Sequence, residues 1–156
     1  MSFVLNEENI NAYKILLPRY PHAKALVLPC LWMAQYQEGF ISLEAMAYIS
    51  ELLDVPQAHI YGVATFYTMF NLEKVPAYHI QVCKTLSCDL CGKSEIIKSI
   101  EEEIGIKVGE ETELFKLSEV ECLGACGGAP MLAMNEEYHE NLTPQKTKEL
   151  LQRLAK

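Results

Sequence analysis

Six cysteines fall in a chain of 156 residues, and four of them stand in two close pairs in the second half. Cys83 and Cys88 are spaced C-x4-C; Cys122 and Cys126 are spaced C-x3-C within Cys122-Leu-Gly-Ala-Cys126-Gly-Gly. The residue pattern puts the first pair where a strand ends and a helix begins. It puts the second in a glycine-rich loop between strands, so the two pairs fall in loops that could meet at one end of a sheet. Three disulfides would suit a short secreted chain. Residues 1–10 offer neither a cationic stretch before an apolar run nor an Arg-rich amphipathic one, so no secretory or transit peptide is expected. In a reducing compartment, clustered cysteines point to metal binding or redox chemistry.

Several centres fit the spacing. A [2Fe–2S] cluster needs four thiolates, two per iron, which two paired loops supply. Zinc also takes four cysteines, with C-x2–4-C knuckles that are usually alike. Cys91 extends the first pair to Cys83-x4-Cys88-x2-Cys91, the plant-type ferredoxin spacing, with Cys122 or Cys126 as fourth ligand. Cys88-Asp-Leu-Cys91 also reads as a thioredoxin-like redox pair, which leaves the glycine-rich loop unexplained. Spacing alone leaves these open. A helix starting just after Cys88 would aim amide groups at an anionic cluster. Gly124, Gly127 and Gly128 would let backbone N–H groups approach sulfur.

The first half reads as four short helices. Ser42 suits an N-cap for 43–54, where Leu43, Met46, Ala47, Ile49 and Leu53 form an apolar stripe. Pro56 suits the first turn of the next helix, with Ile60, Val63, Ala64 and Tyr67 on one face. Residues 23–37 also read as helix, with Pro29 kinking it or marking its first turn and Gly39 stopping it; an earlier helix lies within 7–17. After a linker at 73–76 the pattern becomes β-α-β-β-α. Strands are expected at 78–83, 114–120 and 131–135, the last in a hairpin with 138–140. A helix runs from about Leu90 to Ile104, and another opens at Thr143-Pro144 with Thr147, Leu150, Leu151 and Leu154 facing inward. The expected class is α+β, a small helical bundle over 1–72 followed by an α/β domain with a mixed sheet over 77–156.

Charge narrows the function. The net charge is −8 and the pI about 5.0, with no run basic enough for nucleic acid or an anionic membrane surface. The longest apolar stretch, 25–34, is too short to span a bilayer and contains Pro29. His22, His59, His79 and His139 have no metal-ligand spacing, and Glu101–Glu103 reads as a solvated helix face. Gly124-x-x-Gly127-Gly128 lacks the features of a phosphate cradle, and no G-x-G-x-x-G occurs, so neither NADH nor flavin should bind this chain directly.

A resemblance selects among the metal centres. Val82-Cys83-x4-Cys88 with Gly92, then Val120-Glu121-Cys122-Leu-Gly-Ala-Cys126 with Ala129-Pro130, resemble the thioredoxin-like [2Fe–2S] ferredoxins, the 24-kDa-type subunits of respiratory complex I. Gly62-Val-Ala-Thr65-Phe66-Tyr67-x-x-Phe70 upstream is similar as well, as are Asn135 and Tyr138-x-Glu140-Asn-Leu-Thr143 downstream. Matches run from about residue 22 to the C-terminus. The resemblance implies a thioredoxin-like second domain and one [2Fe–2S] cluster on Cys83, Cys88, Cys122 and Cys126. Cys91 is then a free thiol nearby and Cys30 a buried small hydrophobe. It implies a non-catalytic electron-transfer subunit of an NADH-quinone oxidoreductase that takes an electron from reduced FMN. NADH and FMN would sit on a partner subunit, and the helical bundle would dock that subunit and a large iron–sulfur subunit. Such a protein would be cytoplasmic, held peripherally at the inner face of the cell membrane through the complex. The same subunit type serves NAD-linked hydrogenases and formate dehydrogenases, and a free-standing ferredoxin is the alternative of another class. Thr65, Phe66, Tyr67 and Phe70 read either as core or as a docking face.

Overall fold

Local signals near the start of the chain become helices with identifiable caps. The computed structural model describes residues 3–154. Asn6 accepts a hydrogen bond from the Asn9 N–H at 2.8 Å and opens α1 (Glu7–Leu16). A single 3-10 turn (Ala23–Leu26) leads into α2 (Val27–Glu38), which Gly39 ends. Pro29 lies in the first turn of α2, where its missing N–H breaks no helical bond. Ser42 Oγ accepts the Ala45 N–H at 3.1 Å and caps α3 (Leu43–Leu53). Pro56 precedes α4 (Gln57–Phe66) as its N-cap rather than sitting inside its first turn.

The chain divides into two units, Met1–Val75 and Pro76–Lys156. In the first, Leu26, Leu31, Met46, Ile49 and Ile60 are fully buried, and Cys30 lies among them. Each such aliphatic side chain contributes roughly 1.5–3 kcal/mol by leaving water. The stripe on α4 holds at Ile60 and Ala64 but fails at Tyr67, which is 37% exposed. The helix has already ended at Phe66, so Tyr67 leaves the helical register with an extended backbone. The aromatic run splits accordingly: Phe70 is 6% exposed and in the core, whereas Phe66 is 76% exposed. Gln35 ties the segment after α4 back to α2. Its Nε2 donates to the Met69 carbonyl at 2.9 Å and its Oε1 accepts the Asn71 N–H at 2.6 Å.

The second unit is a mixed sheet in the order β2-β1-β3-β4. The central strand β1 (Tyr78–Cys83) runs parallel to β2 (Phe115–Val120) and antiparallel to β3 (Leu132–Met134); β4 (Glu137–His139) closes a hairpin on β3. Between β1 and β2 come α5 (Leu86–Leu90) and α6 (Lys93–Ile104), and α7 (Pro144–Leu154) follows β4. Ile80, Val82, Leu117 and Leu132 meet Ile96, Ile100 and Leu151 in one core. Thus α6 and α7 cover one face of the sheet, and the α+β class with a mixed sheet is observed.

Two local expectations are revised. The helix expected from about Leu90 is broken: Gly92 has φ +99°, a conformation that side chains other than glycine's rarely adopt, and α6 restarts at Lys93. Glu101–Glu103 is also more than a solvated face. Lys148 bonds Glu102 at 2.9 Å and Gln152 bonds Glu103 at 3.0 Å, joining α6 to α7. Among the described residues no helix is long and apolar enough to cross a membrane.

Candidate metal centre

Strand register explains why the two cysteine loops meet. In the parallel pair, Cys83 lies opposite Val120, so β1 and β2 end together and both exits leave the same edge. The Lys84 N–H donates to the Val120 carbonyl at 2.9 Å, and Lys84 Nζ pairs with Glu121 at 3.0 Å, joining the two exits. Cys83 is the last residue of β1, and Cys88 lies one turn along inside α5; both are buried. Cys122 follows β2, and Cys126 opens a 3-10 turn (Cys126–Gly128); both are exposed.

The four thiols form two pairs. Cys122 Sγ and Cys126 Sγ are 3.5 Å apart, and Cys83 and Cys88 are buried together in one cluster with Met131. The pairs also feel each other, since charge on Cys83 raises both Cys122 and Cys126 and charge on Cys126 raises Cys88. Cys91 is exposed at the end of α5 and Cys30 is buried in the other unit.

Each pair contains one thiol shifted down and one shifted up. Burial pushes Cys83 up, but hydrogen bonds from the Thr85 hydroxyl and from the Thr85 and Leu123 backbones outweigh it and leave it below the ordinary value. The Thr85 hydroxyl is 3.3 Å from Cys83 Sγ. Cys88 is raised, by burial first and then by its bond with Cys83 and the charges on Cys83 and Cys126, against a backbone bond from Met131. Cys122 is lowered, chiefly by the Gly124 N–H at 3.4 Å and then by the Cys126 and Thr85 side chains. Cys126 is raised by its bond with Cys122 and by the charge there. Four thiolates so close repel one another, and a cationic centre would remove that conflict.

Of the two donor sources expected from the sequence, the glycine loop is observed at Gly124 and the long helix after Cys88 is not. Cys88 lies within α5 instead of just before a long helix, because Gly92 separates α5 from α6. The loop supplies the amide donor expected of it, since Gly124 at φ +85° turns its N–H toward Cys122. Thr85 carried a legible signal as an N-cap type two residues beyond a cysteine. Tyr138 was legible only as part of a family motif, and its contact was not: its hydroxyl donates from β4 to the Leu123 carbonyl at 3.0 Å.

The donor set fits a two-iron centre. Among the described residues no group of three or more His, Cys, Asp or Glu side chains is arranged to hold a metal ion. The thiols stand as two pairs with N–H donors at sulfur, and in a [2Fe–2S] centre Cys83, Cys88, Cys122 and Cys126 would supply two thiolates to each iron. A Cβ at Gly128 would strike the Glu140 carboxylate and lie 2.7 Å from the Glu140 Cβ, so the loop passes the segment after β4 with no room for a side chain.

Comparison with known proteins shows the family. The family model for thioredoxin-like [2Fe-2S] ferredoxin matches residues 13–155. A subunit of NADH-quinone oxidoreductase from Rickettsia felis is 43% identical over 155 residues, covering 96% of this chain and 93% of that protein. NADH dehydrogenase [ubiquinone] flavoprotein 2, mitochondrial, of Dictyostelium discoideum is 41% identical, covering 97% of this chain and 64% of that one. An NAD+-reducing [NiFe]-hydrogenase in the H2-reduced state shares the fold with a TM-score of 0.72 at 20% identity, over 83% of this chain. This chain spans only 22% of the hydrogenase chain.

Proposed function

Because the chain belongs to the thioredoxin-like [2Fe–2S] ferredoxin family, we propose that it is the electron-transfer subunit of an NADH-quinone oxidoreductase and holds one [2Fe–2S] cluster on Cys83, Cys88, Cys122 and Cys126. The observation that carries the reading is the convergence of two thiol pairs at the shared end of β1 and β2. When bound, the cluster supplies one-electron redox chemistry, iron passing between ferric and ferrous states. The side chains do the rest. Cys83 and Cys88 keep one side of the site dry, and Cys122 and Cys126 face outward on the exposed side. Amide groups and the Thr85 hydroxyl stabilise negative charge on sulfur, which together with burial sets the potential. No side chain acts as acid or base on a substrate.

The electron donor in this reading is reduced FMN on a partner subunit that also binds NADH, with the large iron–sulfur subunit as second neighbour. Exposed Phe66, Tyr67, Met69 and Leu72 would contribute to docking from the helical unit. The protein then works in the cytoplasm, at the inner membrane face through its complex. The 43% identical Rickettsia felis protein favours this assembly over the corresponding component of an NAD-linked hydrogenase or formate dehydrogenase. The hydrogenase likeness is one of fold.

Optical and paramagnetic spectra of the purified chain test the proposal. A reducible [2Fe–2S] signal is expected, lost on replacing any one of Cys83, Cys88, Cys122 and Cys126 by Ala and retained in Cys91→Ala. Colourless protein with stoichiometric zinc would refute it, and loss of the signal in Cys91→Ala would favour the plant-type ligand set.

A further inference from the structure

The glycine-rich cysteine loop is held along its length by the strand that leaves the hairpin. Asn135 makes the hairpin turn at φ +53°, and its side chain accepts the His79 N–H at 2.9 Å and donates to the Ala77 carbonyl at 3.0 Å. The hairpin is thereby anchored on the central strand, with Tyr138 opposite Ala133. Downstream of β4, the Asn141 N–H donates to the Gly128 carbonyl at 2.6 Å and the Leu142 N–H to the Pro130 carbonyl at 3.1 Å. Tyr138 makes the remaining attachment, at Leu123.

That attachment differs in kind from the others. The Leu123 carbonyl and the Gly124 N–H belong to one peptide group. Tyr138 Oη donates to its oxygen at 3.0 Å, and its N–H donates to Cys122 Sγ at 3.4 Å. Hydrogen bonds in series polarise one another, and donation to the carbonyl makes the amide of the same peptide a stronger donor. It also fixes the peptide plane, so that Gly124 presents its N–H to sulfur and not to water. Tyr138 is 51% exposed. Its ring therefore buries little apolar surface for an aromatic residue, and core packing does not account for it.

We propose that Tyr138 is a positioning residue for the cluster: its hydroxyl orients and polarises the Leu123–Gly124 peptide and so strengthens the hydrogen bond to Cys122 sulfur. The inference rests on the cluster assignment above. N–H donation to a ligand sulfur offsets the charge gained on reduction, so it raises the reduction potential. Without the hydroxyl the reduced state is less favoured. Tyr138→Phe should shift the one-electron reduction equilibrium several-fold toward the oxidised form, tenfold corresponding to ~59 mV.

The experiment is redox titration of the full chain, read by the paramagnetic signal, with iron content and thermal unfolding measured alongside. Wild type, Tyr138→Phe, and a chain carrying 3-fluorotyrosine at position 138 are compared at a pH where both phenols stay protonated. The expected result is normal iron content in both variants, a lowered potential with altered g values in Tyr138→Phe, and a raised potential in the fluorinated chain, whose phenol is the stronger donor. Unshifted potentials in two fully loaded variants would overturn the inference, as would two shifts in the same direction. Should Tyr138→Phe lose iron, the fluorinated chain decides alone, and a potential not above wild type overturns the inference. Wild type without a [2Fe–2S] signal would refute the cluster assignment instead, so the two failures are distinct.

Discussion

Gly128→Ala would force a collision between the cysteine loop and the segment after β4. The new Cβ would overlap the Glu140 carboxylate and come within 2.7 Å of the Glu140 Cβ. The carboxylate can swing aside at the expense of one rotamer, but the Glu140 Cβ moves only with its backbone. That backbone is anchored on either side, by Asn141 to the Gly128 carbonyl at 2.6 Å and by the β3–β4 pairing. Overpacking at a restrained site costs about 1–3 kcal/mol. For a domain of 60–100 residues each kcal/mol moves the melting midpoint by about 4–8 °C. A destabilisation of about 2 kcal/mol therefore lowers it by roughly 8–16 °C. The assay is thermal and urea unfolding of the full-length chain by circular dichroism, with a double-mutant cycle against position 140. Glu140→Ala removes the carboxylate and keeps the Cβ, so it should recover only part of the loss; Glu140→Gly removes both and should recover more. A midpoint drop under about 2 °C, equivalent to under ~0.5 kcal/mol, would refute the reasoning. Full rescue by Glu140→Ala would equally show that the Cβ contact is immaterial.

Thiol labelling of the native, cluster-loaded protein should modify Cys91, which is exposed, and spare Cys30, whose thiol burial pushes up to about 12; rapid labelling of Cys30 without unfolding would contradict its placement. Phe70→Ala should cost about 3–5 kcal/mol as a core truncation, whereas Phe66→Ser should leave stability within about 0.5 kcal/mol and, in the proposed complex, weaken partner binding. Equal destabilisation by the two would show that Phe66 is packed. His79 is held below the ordinary histidine value by burial first and by Lys116 second, against Glu111, while its Nε2 lies 2.7 Å from Ser118 Oγ. The unfolded chain then binds the proton more readily, so the contribution is complete above the unfolded value and lost as pH falls below about 6.5. Urea midpoints should fall less steeply on acidification in His79→Gln than in wild type.

Much of this protein was legible in short windows of sequence, because the physics there is local. Alternation from Tyr78 to Cys83, the Ser42 cap and Thr143-Pro144 each depend on residues within one turn or one pleat. Pro29 in sequence fits either a kink or a first turn, and the start of α2 at Val27 decided it. The spacing of Cys83, Cys88, Cys122 and Cys126 named a metal or redox centre for the same reason, and the flanking motifs singled out a [2Fe–2S] family. The break at Gly92 was obscured because Ile96, Ile97, Ile100 and Ile104 supply helical periodicity on one side of it, while a glycine with positive φ resembles any other glycine in sequence. The aromatic run at 66–70 could not be divided in advance. Which of Phe66 and Phe70 is buried depends on where α4 stops and on Gln35 drawing Met69 and Asn71 back to α2.

The six cysteines return the same distinction. The sequence alone determined which residue types were available to bind a centre and how far apart along the chain they stood. Only the tertiary structure decided that β1 and β2 end together, so that two loops separated by a crossover present their thiols to one another. It alone put Tyr138 behind the peptide that faces Cys122, and Glu140 against Gly128. Those contacts join residues 12 to 15 positions apart through strand pairing, and no local propensity encodes them.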